Sequence, residues 1–289
     1  MCEKTQAPLG QGVLSMALAN FDSWLRSPRT ILMLLFIAAI CYLQMCGYEM
    51  KLNETGYTMH LGETLFYEFK FGCNMPMTTV LFLIMVSELP RRIAYQQYSL
   101  IRSSRCRWMA AQLLYCLMMV VAMIALIALF IALMALPLVT PGSGWSDAAR
   151  IASGEIEPYE TLISEFILNN YTPFTATLLA MIPVFCFWLT MVFVILMFGV
   201  WGSPVFGVLM YAFLMVANVT ILFEAFPFQL ILPIQYATLD NIISGYDGKE
   251  IQQFLKILGV YAALIVSLVV VMMISVKRVE LNFHAESKQ

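Results

Sequence analysis

Few residues in this chain are of a type that does covalent chemistry, and none stands at the spacing such chemistry needs. The two histidines, His60 and His284, belong to no H-E-x-x-H pattern, and the chain contains neither G-x-S-x-G nor C-x-x-C. Histidine-based catalysis and zinc binding therefore have no foothold. His60 reads as a surface residue of a loop. The seven cysteines are odd in number. Cys41, Cys116 and Cys186 lie inside apolar runs, Cys2 and Cys106 flank basic segments, and Cys46 with Cys73 is the one pair placed to meet. The reading is mostly reduced thiols without metal spacing. No G-x-x-x-x-G-K-[ST] phosphate loop is present, since Gly248-Lys249 is followed by Glu250. The chain is expected to hydrolyse no ATP and to bind no cofactor of its own.

What remains is a run of arginines. From Glu88 to Trp108 the sequence holds Arg91, Arg92, Arg102, Arg105 and Arg107 with no acid after Glu88. Tyr95, Tyr98, Leu100 and Ile101 are interleaved with them at a spacing that fits a short helix with an apolar face, ended near Ser103 and Ser104. A positively charged loop that fixes orientation and touches lipid headgroups fits the same residues.

The elements that must position this segment follow from composition. Of 289 residues 61% are hydrophobic and 12% charged, and mean hydropathy is +0.81. A soluble globule is nearer half apolar and a quarter charged. The fold class is therefore an all-α membrane protein. A net charge of −2 excludes nucleic-acid binding through a basic surface. A bilayer core of about 30 Å takes roughly 20 apolar residues per helix, and six spans are expected at about 30–47, 75–89, 108–138, 173–200, 204–226 and 254–276. The chain reads as one domain over 1–289, with residues 1–29 before the first span and 277–289 as a tail. The first run follows charge and Pro28 and has no small-residue cleavage site after it, so a removed signal peptide is not expected.

Six spans put both termini on one side. That side, which includes the arginine-rich segment, carries eleven Lys and Arg against five acids, while the other carries five against thirteen. The excess of Lys and Arg in short loops places the termini in the cytoplasm.

Three further segments are neither spans nor simple loops. Leu14, Ala17, Leu18, Phe21, Trp24 and Leu25 recur at helical spacing, with Asp22, Ser23 and Arg26 mostly off that stripe. They read as an amphipathic helix in the inner interface, although an extended first span fits too. Ser27 then Pro28 supply a cap and a first helical residue. On the other side, Tyr159, Leu162, Ile163, Phe166 and Ile167 share one helical face. The segment 227–253 starts apolar, is broken by Pro233 and closed by Gly245, and fits two short helices dipping back into the membrane. Asp247 and Glu250 resemble a capping box for the last span.

The span interiors carry almost no charge. Glu88 and Glu224 sit at span ends, and Gln112 and Asn218 are expected to hydrogen-bond between helices. A coupling-ion acid near mid-membrane, usual in a secondary transporter, is missing from this reading, and no inverted repeat is visible. The 21 Met and 20 Phe suit a soft surface for a bulky apolar cargo, and core packing explains them equally well.

The layout resembles the permease subunit of an ABC-2 type ABC transporter over essentially the whole chain. The resemblance is carried by Phe21-Asp22-Ser23-Trp24-Leu25-Arg26-Ser27-Pro28-Arg29 running into the first span, by Leu100-Ile101-Arg102-Ser103-Ser104-Arg105-Cys106-Arg107-Trp108 before the third, and by Leu232-Pro233-Ile234-Gln235-Tyr236 before the sixth. It implies a bacterial cytoplasmic membrane, a second permease chain, and a separate ATP-binding cassette subunit that holds the ATP and magnesium. It implies a coupling helix, docked on that ATPase, within a segment represented here by Glu88, Arg91, Arg92, Tyr98, Arg102, Arg105, Arg107 and Trp108. It implies an interfacial helix represented by Phe21, Trp24, Leu25 and Arg26, and an outer re-entrant gate containing Pro227, Pro233, Gln235 and Tyr236. Members of the family often have acid, glycine and threonine early in the coupling loop, where this chain has Pro90-Arg91-Arg92. The function expected is ATP-driven export of a hydrophobic or amphipathic substrate such as a peptide, drug, lipid or glycan. Two other classes fit fewer of these features: a non-transporting accessory or immunity protein, and an intramembrane enzyme, whose mid-span polar clusters are not seen.

Overall fold

Long apolar runs punctuated by proline and by short polar caps dictate helices, and helices dominate the computed structural model, which describes residues 9–55, 58–70, 74–90, 104–147, 149, 165–219 and 250–278. In chain order they are α1 Leu9–Leu25, α2 Pro28–Thr55, α3 Leu61–Lys70, α4 Asn74–Val86, α5 Arg105–Ala135, α6 Glu165–Asn170, α7 Pro173–Trp201, α8 Pro204–Val219 and α9 Glu250–Arg278. Two two-residue strands, β1 Met59–His60 and β2 Val139–Thr140, pair in parallel.

The helix boundaries have local causes. Ser27 accepts a hydrogen bond from the Thr30 amide at 3.2 Å, and Pro28, lacking an N–H, opens α2 without leaving an unpaired donor. Ser104 caps α5 by accepting from the Arg107 amide, and Thr172 caps α7 with Pro173 as the next residue. Gly202 ends α7, its amide donating to the Phe198 carbonyl at 3.0 Å.

Among the described residues, four helices are long and apolar enough to cross a membrane: α2, α5, α7 and α9. The apolar stretches Met77–Val86 and Pro204–Leu214, within the second and fifth expected spans, are shorter. The chain is accordingly a mostly helical, membrane-embedded protein. Its axis is α7, which packs against α3, α5, α8 and α9, while α5 packs against α1, α2, α3 and α9. Between helices that face lipid, burial brings little hydrophobic gain, because lipid tails are as apolar as leucine; close packing and interhelical hydrogen bonds must hold the bundle. Both are present. Trp188 on α7 is 1% exposed, stacks on Phe82 of α4 at 5.1 Å, and donates its indole N–H to Thr79 at 2.9 Å. Met109, Met119 and Met123 of α5 and Met191 of α7 are fully buried, so these methionines fill the core. Leu35 and Leu43 of α2, Phe206 and Phe213 of α8 and Val266 of α9 point outward.

The end of the bundle that carries Arg29 and Glu88, called here the basic end, is packed through a glycine. A Cβ on Gly199 would collide with the Leu89 carbonyl and with Pro90. Gly199→Val is therefore expected to lower stability by about 1–3 kcal/mol, the usual cost of overpacking. Gly259→Ala on α9, which meets nothing within 4 Å, should match or exceed wild type. Denaturant unfolding in micelles, followed by tryptophan fluorescence, measures both.

Candidate functional site

At the basic end, α1 lies along α5. Its packed face is Ala17, Asn20 and Trp24, all at most 2% exposed, with Phe21 and Leu25 half-buried against the core. Leu14 and Leu18 are each 48% exposed, so the apolar stripe of this helix splits between protein and surroundings. Arg26 is exposed and pairs with Asp22 one turn earlier at 2.9 Å. Just beyond the α1–α2 turn, Arg29 reaches across to the end of α4. It donates to Glu88 at 2.8 Å and to the Ser87 hydroxyl at 2.7 Å. The starts of α2 and α5 and the end of α4 thus meet with α1 at the basic end.

Several of the residues expected to form a coupling surface are placed by this arrangement. Glu88 and Arg105 are exposed, and Arg107 is half-buried. Trp108 is 2% exposed, an inward residue of the first turn of α5 and no part of an open docking face. Arg91, Arg92, Tyr98 and Arg102 lie outside the described residues, as do Pro227, Pro233, Gln235 and Tyr236 of the expected outer gate, most of the segment 158–167 expected to be helical, and Asp247. Gln112 corrects an expectation. It is fully buried on α5, yet neither amide atom has a hydrogen-bond partner. The Asn218 side chain lies outside the described ones. Cys41, Cys46, Cys106, Cys116 and Cys186 are free thiols, and Cys73 is outside the described residues.

Because Arg29 and Glu88 keep 38% and 57% of their side-chain surface exposed, water screens the pair. Arg29→Ala should cost less than about 1 kcal/mol, in the range of surface ion pairs. The exchange Arg29→Glu with Glu88→Arg should recover part of what either reversal alone loses. A double-mutant cycle on unfolding reads this coupling.

The opposite end of the bundle holds a polar cluster that the sequence did not disclose. Helix α3, with Leu61, Leu65, Phe66 and Phe69 along it, lies against the beginning of α7, where the Thr177 hydroxyl donates to the Gly62 carbonyl at 3.1 Å. Glu63 in its first turn is fully buried. Its carboxylate accepts from the Ser146 amide, from the Ser146 hydroxyl at 2.7 Å and from the His60 amide at 3.4 Å. His60 is half-buried and not a free loop side chain. Its Nδ1 lies 2.7 Å from the Gly144 carbonyl, which can only accept, so Nδ1 carries the proton. A Cβ on Gly142 would run into the imidazole, so a side chain there would have to displace His60. Trp145 sets its ring edge-on to Phe66 at 5.5 Å and donates to the Tyr171 carbonyl at 2.7 Å.

Serine, histidine and glutamate meet here, but not in the order of a hydrolytic triad. The Ser146 hydroxyl gives its proton to Glu63, and His60 Nδ1 faces the Gly144 carbonyl, so no imidazole nitrogen is shown taking the serine proton. The chemistry of the group is fastening: it ties the 142–147 segment to α3. One turn further on, Glu68 is 4% exposed, its Oε2 without a partner, and its carboxyl is pushed up to about 7 by burial, against the opposing hydrogen bond of Gln44.

The only sequence signal for this cluster was Leu61, Leu65 and Phe69 at four-residue spacing with Glu63 in the first turn. The separation of 83 positions between Glu63 and Ser146 hid their contact. Comparison of the chain with protein-family models, with curated proteins and with solved structures finds no match.

Proposed function

We propose that the chain is the permease subunit of an ABC-2 type transporter: six membrane crossings, both termini cytoplasmic, ATP hydrolysed by a separate cassette subunit, and an apolar or amphipathic substrate exported. One observation carries the reading. The basic end is built as a joint, in which Arg29 on α2 grips Ser87 and Glu88 at the end of α4, while α1 is packed along α5. The arginine-rich segment leaves from that grip at Glu88 and re-enters the bundle at Arg105.

A force applied to residues 91–104 therefore reaches α4 and α5 directly, and α2 through Arg29. Helices packed this closely move as rigid bodies between discrete arrangements, so such a joint turns a local push into a rearrangement of the whole bundle. The charge distribution supports the sidedness, since eleven of the 16 Lys and Arg lie on the side assigned to the cytoplasm. The α2, α5, α7 and α9 spans carry no Asp or Glu in their apolar windows that would take up a coupling ion. That favours an external source of energy.

The test is purification of the tagged full chain from its own host under mild detergent. The reading expects an ATP-binding cassette protein in stoichiometric amount, with ATPase activity altered by the presence of the chain. A chain purified to homogeneity that drives substrate flux without any ATPase would overturn it.

A further inference from the structure

We propose that Glu68 is a proton-binding site that fastens α3 over the end of the bundle opposite the arginines, closed when the carboxyl holds its proton and released when the proton passes to solvent. The proposal needs only this chain and stands apart from the transporter reading.

The geometry leaves the charged form uncompensated. Glu68 is 4% exposed, Oε2 is buried without a hydrogen-bond partner, and the flanking Phe66, Tyr67 and Phe69 are all buried. Gln44 of α2 supplies a hydrogen bond, and the Cys41 thiol of α2 also faces the carboxyl. No cation approaches among the described side chains. Helices α4 and α7, which pack on α3, carry no Asp, Glu, Lys or Arg at all, and on α5 the two charged residues, Arg105 and Arg107, stand at the other end. On α3 and β1 the other titratable side chains described are Glu63, bonded to Ser146, Tyr67, and His60, bonded to Gly144, while the side chains of Lys70 on α3 and of Glu49, Lys51 and Glu54 on α2 lie outside the described ones. A buried carboxylate with an unpaired oxygen and no countercharge stays protonated or leaves.

The sign follows from linkage. The closed state holds its proton up to about pH 7, whereas a solvent-exposed glutamate loses it near 4.5. Between those values the closed form binds one more proton than the open one, so each pH unit upward shifts the balance toward opening, approaching about tenfold per unit. Below the lower value and above the upper one the balance is flat.

Trp145 reports the movement. If α3 lifts, the indole loses either Phe66 of α3 or its bond to Tyr171 beside α7. The full chain, labelled with 5-fluorotryptophan and held in lipid nanodiscs, gives five fluorine resonances for its five Trp, and Trp145→Phe identifies the relevant one. The expected result is a shift of the Trp145 resonance between pH 5 and 8 that vanishes in Glu68→Gln, where the neutral amide keeps the latch shut. Gln44→Leu removes the hydrogen bond that favours the charge and should move the midpoint upward, which a merely structural glutamate would not do. A Trp145 resonance that titrates alike in wild type and Glu68→Gln, which would trace it to a group other than Glu68, overturns the proposal. So does one that does not move in wild type, or a midpoint unmoved or lowered in Gln44→Leu.

Discussion

Glu63→Ala is expected to unfasten the 142–147 segment and to destabilise the protein by about 2–4 kcal/mol, since each buried donor left unpaired costs about 1–3 kcal/mol. The substitution strands the Ser146 amide and hydroxyl, both turned to a carboxylate with no exposed surface. It also takes away the acceptor of the His60 amide. Glu63→Gln should lose less, because its carbonyl oxygen still accepts from Ser146 while its amide, being a donor, opposes one of the other two. Thermal unfolding in micelles gives the ranking wild type, Gln, Ala. Limited proteolysis should cut the alanine variant first in the 142–147 segment. Equal stability of the three would mean that the carboxylate is not the anchor.

The second large effect lies at the other end. Under the proposed function, Arg102→Glu with Arg105→Glu reverses two charges in the segment that meets the ATPase. The pair should lower ATPase association by more than about tenfold, since a like charge set in an interface costs several kcal/mol. The fold should survive, because Arg105 is exposed and the cap of α5 belongs to Ser104 and Arg107. Helical content and unfolding midpoint therefore act as the control. Co-purification measured against wild type is the readout, and a bundle that stays folded yet retains its partner in full would remove this segment from the interface.

What the sequence could tell about this molecule divides along physical lines. The long apolar runs that became α2, α5, α7 and α9 are legible because a membrane helix announces itself through twenty consecutive residues. The turn at Ser27 and Pro28 and the start at Pro173 are legible because capping is local chemistry. Helix α3 is not: ten residues with two acids and a lysine score as an outer loop, and only a short apolar stripe betrays them. The Glu63–Ser146 contact joins residues 83 positions apart, a distance at which periodicity carries no information. Trp108 reads equally as an interfacial aromatic or a buried one, and only the packing of α5 decides. Gln112 was expected to bond across helices and instead sits buried with both amide atoms unpaired. An expected partner for a polar group is a statement about its neighbours, which one helix cannot supply.

The two ends of the bundle also illustrate different uses of charge. Arg29 and Glu88 remain in contact with water, so their pair fixes geometry at little energetic consequence. Glu63 and Glu68 are removed from water. There a single missing donor decides whether the carboxyl is an anchor or a proton site.

The claim on which the functional reading rests is that a cassette ATPase acts on the arginine-rich segment from the cytoplasm. Replacing Tyr98 by a photoreactive benzoylphenylalanine in intact cells, illuminating, and identifying the adduct by mass spectrometry tests it most directly. The account predicts one dominant adduct, with a protein that carries the G-x-x-x-x-G-K-[ST] phosphate loop. Adducts with lipid alone, or with a protein on the outer side of the membrane, would contradict it.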